Sequence, residues 1–412
     1  MERALQTGAC RRCRQGFAQS FRHQPIPVAG ADVMSGFGTS SVARPARQGG
    51  FSLVELMIGL VIGLIITMAI TSSISAIGKQ FRITGSGVSA AEGAQLGLDI
   101  LDRNTRMAGA AVFSSAVAAM CPSINMYKGG TTVFDGTPTG NAYPAVRITD
   151  GGSAGSDTID LLLTPPKLSG GLVVAVTKEM PISSSVIKVT EPRDLLQAND
   201  LVMVARPLPN TTDPCTLIQI TDITGKCSDG TNGCNVNHGS GEASEYNPPN
   251  PKKAFTSAPD YPVGSVLIKF DEFSYTRFSV QCNSLLRHDA LVTPSCTGTP
   301  SYRDSELAGD IMMLKAQYGI ANADSDAIST WKSAATTTAD ELARVKAIRV
   351  AIVARSQESD NSVVTGTAPV VFDGGLTLDL SGTSVPSGKT WQNFRYRIHE
   401  TVTPLRNVAW NR

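Results

Sequence analysis

Gly50-Phe51-Ser52-Leu53-Val54-Glu55-Leu56 opens a stretch that carries no further charge until Lys79. The uncharged run Leu56–Gly78 is 23 residues long. As a helix rising about 1.5 Å per residue it spans roughly 35 Å, enough for a bilayer core of about 30 Å. No proline occurs between Phe51 and Cys121, so nothing there forces a helix to stop. The region before the run is basic. Residues 1–50 hold seven arginines, no lysine and two acids, leaving 29 basic and 33 acidic residues for the rest. Arg44 and Arg47 stand before the run, so the positive-inside rule places the N-terminus in the cytoplasm and the chain beyond Lys79 across the membrane.

Composition narrows the class. The 412 residues are 42% apolar and 17% charged with a formal net charge of +1. That excludes a highly charged disordered chain and a polytopic membrane protein, and gives no reason to expect a nucleic-acid partner. A cleaved signal peptide would also show a basic start and an apolar run, with Ser73, Ser75 and Ala76 as a weak cleavage site. Two features oppose it: the run is long, and Glu55 sits at its start. A carboxylate at the centre of a membrane costs about 2.5–3.5 kcal/mol on insertion scales, so Glu55 needs a partner.

The motif Gly50-Phe51-Ser52-Leu53-Val54-Glu55-Leu56 resembles the processing site of type IV prepilins. The resemblance implies cleavage after Gly50 by a membrane aspartyl peptidase and N-methylation of Phe51. It also implies that Glu55 pairs with a terminal amine during assembly. Cutting there leaves the anchor attached and creates a cation that a buried acid requires. Later segments resemble the PilW-like minor pilins: Arg106–Gly109, Asp310–Gly319, Val350–Ser356, Tyr396–Thr401 and Pro404–Asn407. Residues 123–260 match no family. The leader is long for this class. Met34 starts a 17-residue stretch of more typical form, so residues 1–33 are expected to lie outside the translated chain, with the CxxC of Cys10 and Cys13 among them.

The expected fold is α+β, type IV pilin-like: a long N-terminal transmembrane and assembly helix packed on an antiparallel β-sheet head with large insertions. The organisation follows as leader 1–50, membrane helix 51–78, head-packed helix 79–109 and globular head 110–412. The helix should run over about 52–108, about 85 Å at 1.5 Å per residue. Gly59, Gly63, Gly78, Gly85, Gly87, Gly93 and Gly97 are points where it can bend or fray, Gly59 with Gly63 can form a close packing face, and Gly109 is a natural end. Strands are expected at Thr158–Leu163, Leu172–Val176, Val186–Val189, Leu201–Ala205, Val263–Phe270, Phe273–Gln281, Ala347–Arg355 and Phe394–Val402. Residues 225–262 read as a long polar loop. Leu307, Ile311, Leu314 and Tyr318 stand at spacings of four, three and four, which predicts a helix over Asp304–Gly319. Thr336–Lys346, opening with cap residues, predicts another.

Six cysteines lie beyond the anchor: Cys121, Cys215, Cys227, Cys234, Cys282 and Cys296. The expected compartment is oxidising, where disulfides persist. Six cysteines allow 15 pairings; in one of them Cys227 with Cys234 and Cys282 with Cys296 would close short loops and Cys121 with Cys215 would remain. Zinc fits poorly, because the spacings are irregular. No catalytic constellation stands out. His23, His238, His288 and His399 have no HExxH, nucleophile elbow or phosphate loop beside them. Asp229, Asn232 and Asn235 lack the regular acidic spacing of a calcium loop. Asp150–Asp157 reads as a turn, and Trp331, Trp391 and Trp410 as packing residues.

The expected function is therefore assembly without catalysis, metal or cofactor. The resemblance implies a minor pilin in a priming or tip complex. Its partners would be other minor pilins, the major pilin, prepilin peptidase, the inner-membrane assembly platform and a large tip adhesin. It would be single-pass in the inner membrane with a periplasmic head, then part of the surface fibre. Two alternatives stand beside this: a minor pseudopilin of a type II secretion system, and a membrane-anchored periplasmic binding protein or adhesin.

Overall fold

A computed structural model describes residues 50 and 52–406 apart from 110–120, 122, 137–144, 164–172, 182–184, 190–195, 208–212, 226–232, 240–243, 258–259, 271–272, 324 and 326. The chain forms two units, Met1–Thr67 and Met68–Arg412. One helix, α1 (Leu53–Met107), belongs to both. Ser52 and Glu55 start it with reciprocal bonds: Glu55 N donates to Ser52 Oγ at 3.2 Å, and Ser52 N to Glu55 Oε2 at 3.4 Å. This S-x-x-E capping box satisfies two donors that helix geometry leaves without partners. Beyond its end, Gly109 adopts φ +71° and its N–H donates to Leu162 O at 3.0 Å, the left-handed stop that glycine permits. Helical assignment is unbroken across the glycines expected to bend or fray it.

The rest is dominated by strands. In chain order the described ones begin β1 (Ile124–Lys128), β2 (Thr131–Phe134), β3 (Val146–Thr149), β4 (Thr158–Leu163), β5 (Val173–Lys178), β6 (Val186–Val189) and β7 (Leu201–Ala205). They continue β8 (Cys215–Gln219), β9 (Asp222–Gly225), β10 (Cys234–Asn237), β11 (Val266–Phe270), β12 (Ser274–Gln281), β13 (Ser284–Asp289) and β14 (Glu306–Gly309). The last are β15 (Ile311–Ala321), β16 (Ile328–Lys332), β17 (Val345–Arg355), β18 (Val370–Val371), β19 (Leu376–Thr377) and β20 (Tyr396–Pro404). Among the described residues they form a nine-stranded sheet (β2-β1-β8-β7-β11-β5-β6-β10-β9), a five-stranded sheet (β14-β13-β12-β4-β3), a four-stranded sheet (β16-β15-β17-β20) and the β18-β19 hairpin. Pairing is antiparallel except between β1 and β8.

Three cores result. The largest joins α1 from Ala90 onward to the five- and four-stranded sheets and one side of the nine-stranded sheet. A second, with Val174, Ile187, Val202, Ile218 and Tyr261, lies within the nine-stranded sheet. The third covers the other face of the four-stranded sheet with Val371, Phe372, Leu378 and Leu380.

Three sequence expectations are corrected. Asp304–Gly319 is not a helix. A 3-10 turn (Tyr302–Ser305) leads into β14 and then β15. A bulge between Ile311 and Met313 shifts the strand's parity, so Ile311, Leu314, Ala316 and Tyr318 all reach the main core. One extra residue in a period of two mimics a helical three. The helix expected over Thr336–Lys346 shrinks to α3 (Ala339–Leu342), capped by Thr338 and Glu341, and β17 already starts at Val345. The loop expected over 225–262 contains β10 and the short α2 (Pro251–Ala254).

Candidate assembly site

The site has two parts on one helix. The first is its bare beginning. Leu53 is 77% exposed and Leu60 62%, and further along the helix Ile77 is still 55% exposed. α1 is long and apolar enough to cross a membrane. Such exposure is costly in water. Glu55, also exposed, closes the capping box described above. Its carboxylate sits in the first helical turn, where the helix dipole favours a negative charge. Gly50 is exposed, and Phe51 lies outside the described residues.

The second part is the seat. Ala90, Ala94, Leu98 and Leu101 are buried at spacings of four, four and three, one stripe of a helix. Beside them Gly93 and Gly97 let the backbone approach β13 and β14. A Cβ built on Gly97 would stand 2.6 Å from Leu285 Cδ2, and one on Gly93 3.5 Å from Ala308 Cβ. The opposite flank is polar. His399 Nδ1 of β20 lies 3.1 Å from Gln95 Oε1. Thr403 Oγ1 donates to Asp102 Oδ1 at 2.6 Å, and Arg106 Nε to Asp102 Oδ2 at 2.8 Å. These polar contacts give a helix-to-sheet seam its register, and apolar periodicity does not reveal them.

The head is held by covalent and ionic ties. Cys121 is bonded to Cys215 and Cys282 to Cys296, with Cα–Cα distances of 5.3 and 5.7 Å. Cys234 is disulfide-bonded too, and Cys227 lies outside the described residues. The Asp150–Asp157 turn is pinned to β15. Asp157 accepts from Gly151 N at 2.9 Å, Ala316 N at 2.8 Å and the Lys315 ammonium, which also donates to Gly152 O at 2.6 Å. Burial pushes the Asp157 carboxyl upward against these donors. Sequence reasoning missed this pair, because a lysine inside β15 reads as a surface residue.

The remaining candidates are scattered. His288 Nε2 lies 3.0 Å from Ser279 Oγ. His238 is buried, no partner among the described residues reaches its Nε2, and burial pushes its pKa down to about 4. Asn235 belongs to β10, while Asp229, Asn232, Trp410 and His23 fall outside the described residues. Arg349 stacks between Trp331 and Phe372, its guanidinium carbon 5.1 and 4.6 Å from their ring centroids. Trp391 packs on the third core. Among the described residues no group of three His, Cys, Asp or Glu side chains is arranged to hold a metal.

A long apolar helix followed by an antiparallel, sheet-rich head is a type IV pilin-like fold. Two family profiles make the class specific. The prokaryotic N-terminal methylation motif matches residues 45–71, and PilW, the type IV pilus-assembly protein W family, matches residues 277–407. The chain accordingly carries a PilW-like segment, from within β12 to just beyond β20, behind a prepilin-type N-terminal motif. A search of curated proteins finds no match. Among solved structures, a type IV-like pilin from Thermus thermophilus is similar at 18% identity, over 34% of this chain and 69% of that one, with a TM-score of 0.19. At that score the likeness carries no argument.

Proposed function

We propose that this minor pilin acts in type IV pilus assembly, within a priming or tip complex. The bare apolar half of α1, starting directly behind Gly50–Phe51, carries the reading. Prepilin peptidase cuts after Gly50 and methylates Phe51, removing leader 1–50. Residues 51–78 anchor the product in the inner membrane, 79–109 join the helix to the head, and 110–412 stand in the periplasm. On assembly the helix leaves the bilayer for the fibre core, against other minor pilins and the major pilin, through the inner-membrane platform. A large tip adhesin is the further partner. The work is assembly, not catalysis. Mass analysis of the N-terminus of membrane-extracted protein tests the reading. N-methylated Phe51 is expected. A terminus near Ala76, or one retaining Arg47, overturns it.

Glu55 has a double role here. Within one chain it caps its own helix. Beside a neighbour it answers that chain's terminal amine. Glu55→Gln separates the two, because glutamine keeps the capping geometry and loses the charge. Sheared fibres should contain little of the Gln variant while the membrane fraction holds normal amounts. Normal incorporation would show that the charge is dispensable.

A further inference from the structure

β20 has a free edge. It closes one side of the four-stranded sheet and pairs with β17 along its whole length without a register shift. Leu405 N donates to Lys346 O and Ser356 N to Arg395 O, each at 2.8 Å. That parity turns the N–H and C=O groups of Arg397, His399, Thr401 and Thr403 toward β17 and those of Tyr396, Ile398, Glu400 and Val402 away from it. Among the described residues nothing hydrogen-bonds the backbone of these last four. Sheet edges are commonly blunted by a bulge, a proline or a covering element. β20 has no bulge, and its one proline is its last residue.

The side chains along this edge define what can pair with it. His399 and Thr403 face α1. Glu400 and Val402 face the other side of the sheet, where they line a cleft of about 270 Å³ with Trp331, Arg349, Phe372 and Asp373. Arg349 is engaged by Gln317 Oε1, to which its Nε and Nη2 donate at 2.9 and 2.6 Å. Glu400 accepts from Phe372 N at 2.7 Å through one oxygen. Two carboxylates against one guanidinium leave the cleft net negative, and Val402, 53% exposed, gives it an apolar wall. On the α1 side the strand carries Arg397, exposed and paired with no carboxylate among the described residues. We propose that β20 takes up an antiparallel extended strand of another protein, with a basic residue opposite Glu400, an acidic one opposite Arg397 and apolar ones opposite Ile398 and Val402. Backbone bonds to the free edge supply the binding, and alternate side chains supply the choice of partner. Directly opposite residues of an antiparallel pair stand about 4.5–5.5 Å apart, so opposite charges there attract. A second copy of this chain fits poorly. Glu400 and Arg397 stand on opposite faces of β20, so no antiparallel register of the strand with itself sets one against the other.

The probe is a fluorescent peptide, Val-Thr-Lys-Thr-Val-Glu, whose residues run from opposite Val402 to opposite Arg397. Its control is Val-Thr-Glu-Thr-Val-Lys, the same composition with the charges exchanged. Anisotropy titrations use the full chain in neutral detergent. The probe should bind about tenfold tighter than the control, since the exchange turns two attractive cross-strand pairs into repulsive ones. Arg397→Glu should remove most of that preference, and Glu400→Lys combined with Arg397→Glu should reverse it. Methylating the lysine amide of the probe, which must donate to Glu400 O, should abolish binding. Methylating the next threonine amide, which points away from β20, should leave it intact. Absent binding, equal affinities for the two peptides, or a preference unchanged in both variants overturns the proposal. Indifference to methylation of the lysine amide overturns strand pairing as the mode of binding. Sedimentation of the wild type in detergent checks the partner: a dimer that the probe dissociates assigns the edge to a second copy and overturns the assignment to another protein.

Discussion

The two halves of α1 share a backbone geometry and little else. Before Ile77 the helix shows its leucines and isoleucines to the surroundings. After Ala90 it buries alanines, glycines and a few leucines under two sheets. The first half is large-sided and bare, the seat half small-sided and covered. Large apolar side chains suit a helix whose partners are lipid tails or other helices. Small ones suit a helix that must lie close to sheets whose side chains already fill the gap. The glycine pairs show it most directly. A Cβ on Gly59 or Gly63 meets nothing within 4 Å, while one on Gly97 meets Leu285 at 2.6 Å.

The sharpest test of this contrast pairs two leucines. Leu101 is fully buried and Leu60 is 62% exposed. Leu101→Ala should cost the head about 2–5 kcal/mol, the usual range for a core leucine. Leu60→Ala should leave head stability unchanged. Denaturant melts of the protein in detergent, followed by tryptophan fluorescence, measure both. Equal effects would break the distinction between the halves.

Acid offers a second contrast, because the head buries a titratable group in a core remote from the helix. His238 lies beside the second core with Nε2 unpartnered and its pKa pushed down from 6.5 to about 4 by burial. A folded pKa below the unfolded one means stability that is present above pH 6.5 and drains as pH falls toward 4. At about 1.36 kcal/mol per pKa unit the full effect is on the order of 3 kcal/mol. His238→Phe should flatten the fall in head stability between pH 6.5 and 4 and leave the helical signal of the anchor unaffected. An unchanged slope would mean that other groups carry the acid response.

How far these features were legible follows the range of the interactions behind them. The helix could be read because its signals are local: an uncharged run, no proline, a terminal glycine. The cap at Ser52–Glu55 was equally local, and its S-x-x-E spacing could have shown it. β17 was legible from its β-branched run and β20 as a further strand, whereas the short β18 and β19 were not read. β15 was not, because the bulge at Ile311–Met313 is set by pairing with β17 and leaves a false helical spacing behind. Nor was the seat. Gly93 and Gly97 read as weak points, and only the distant Leu285 makes a small residue necessary at Gly97. Lys315 and Asp157 meet across a separation of 158 residues, beyond any periodicity.

Gly97→Ala carries the contrast to a single methyl group. The added carbon stands within 3 Å of Leu285 Cδ2, so the leucine must rotate or the helix must lift from β13. Overpacking of this kind costs about 1–3 kcal/mol, against a gain of about 1 kcal/mol from replacing a mid-helix glycine. A net loss of head stability is expected. A second change, Leu285→Ala, should relieve the clash, so that the double variant is more stable than the sum of the single effects. Simple additivity would show that the backbone does not approach as closely as the seat requires.

The smallest effect is expected at Gly63, and its value lies in its sign. Nothing stands within 4 Å of a Cβ at that position, so Gly63→Ala adds no clash within the chain. Alanine gains about 1 kcal/mol of helix propensity over glycine in water. Head melting should therefore not move, and helical content in detergent should stay level or rise slightly. Gly59-x-x-x-Gly63 also has the spacing of a close helix-packing face, which the chain alone does not use. Enlarging the side chain further, as Gly63→Leu, should still leave the melt in place, whereas the share of the protein in sheared fibres should fall. A melt that drops with Gly63→Leu would place the glycine in the head's own packing and erase the division of the helix. Incorporation that stays level with leucine in place would leave the division intact and remove this pair from the assembly surface.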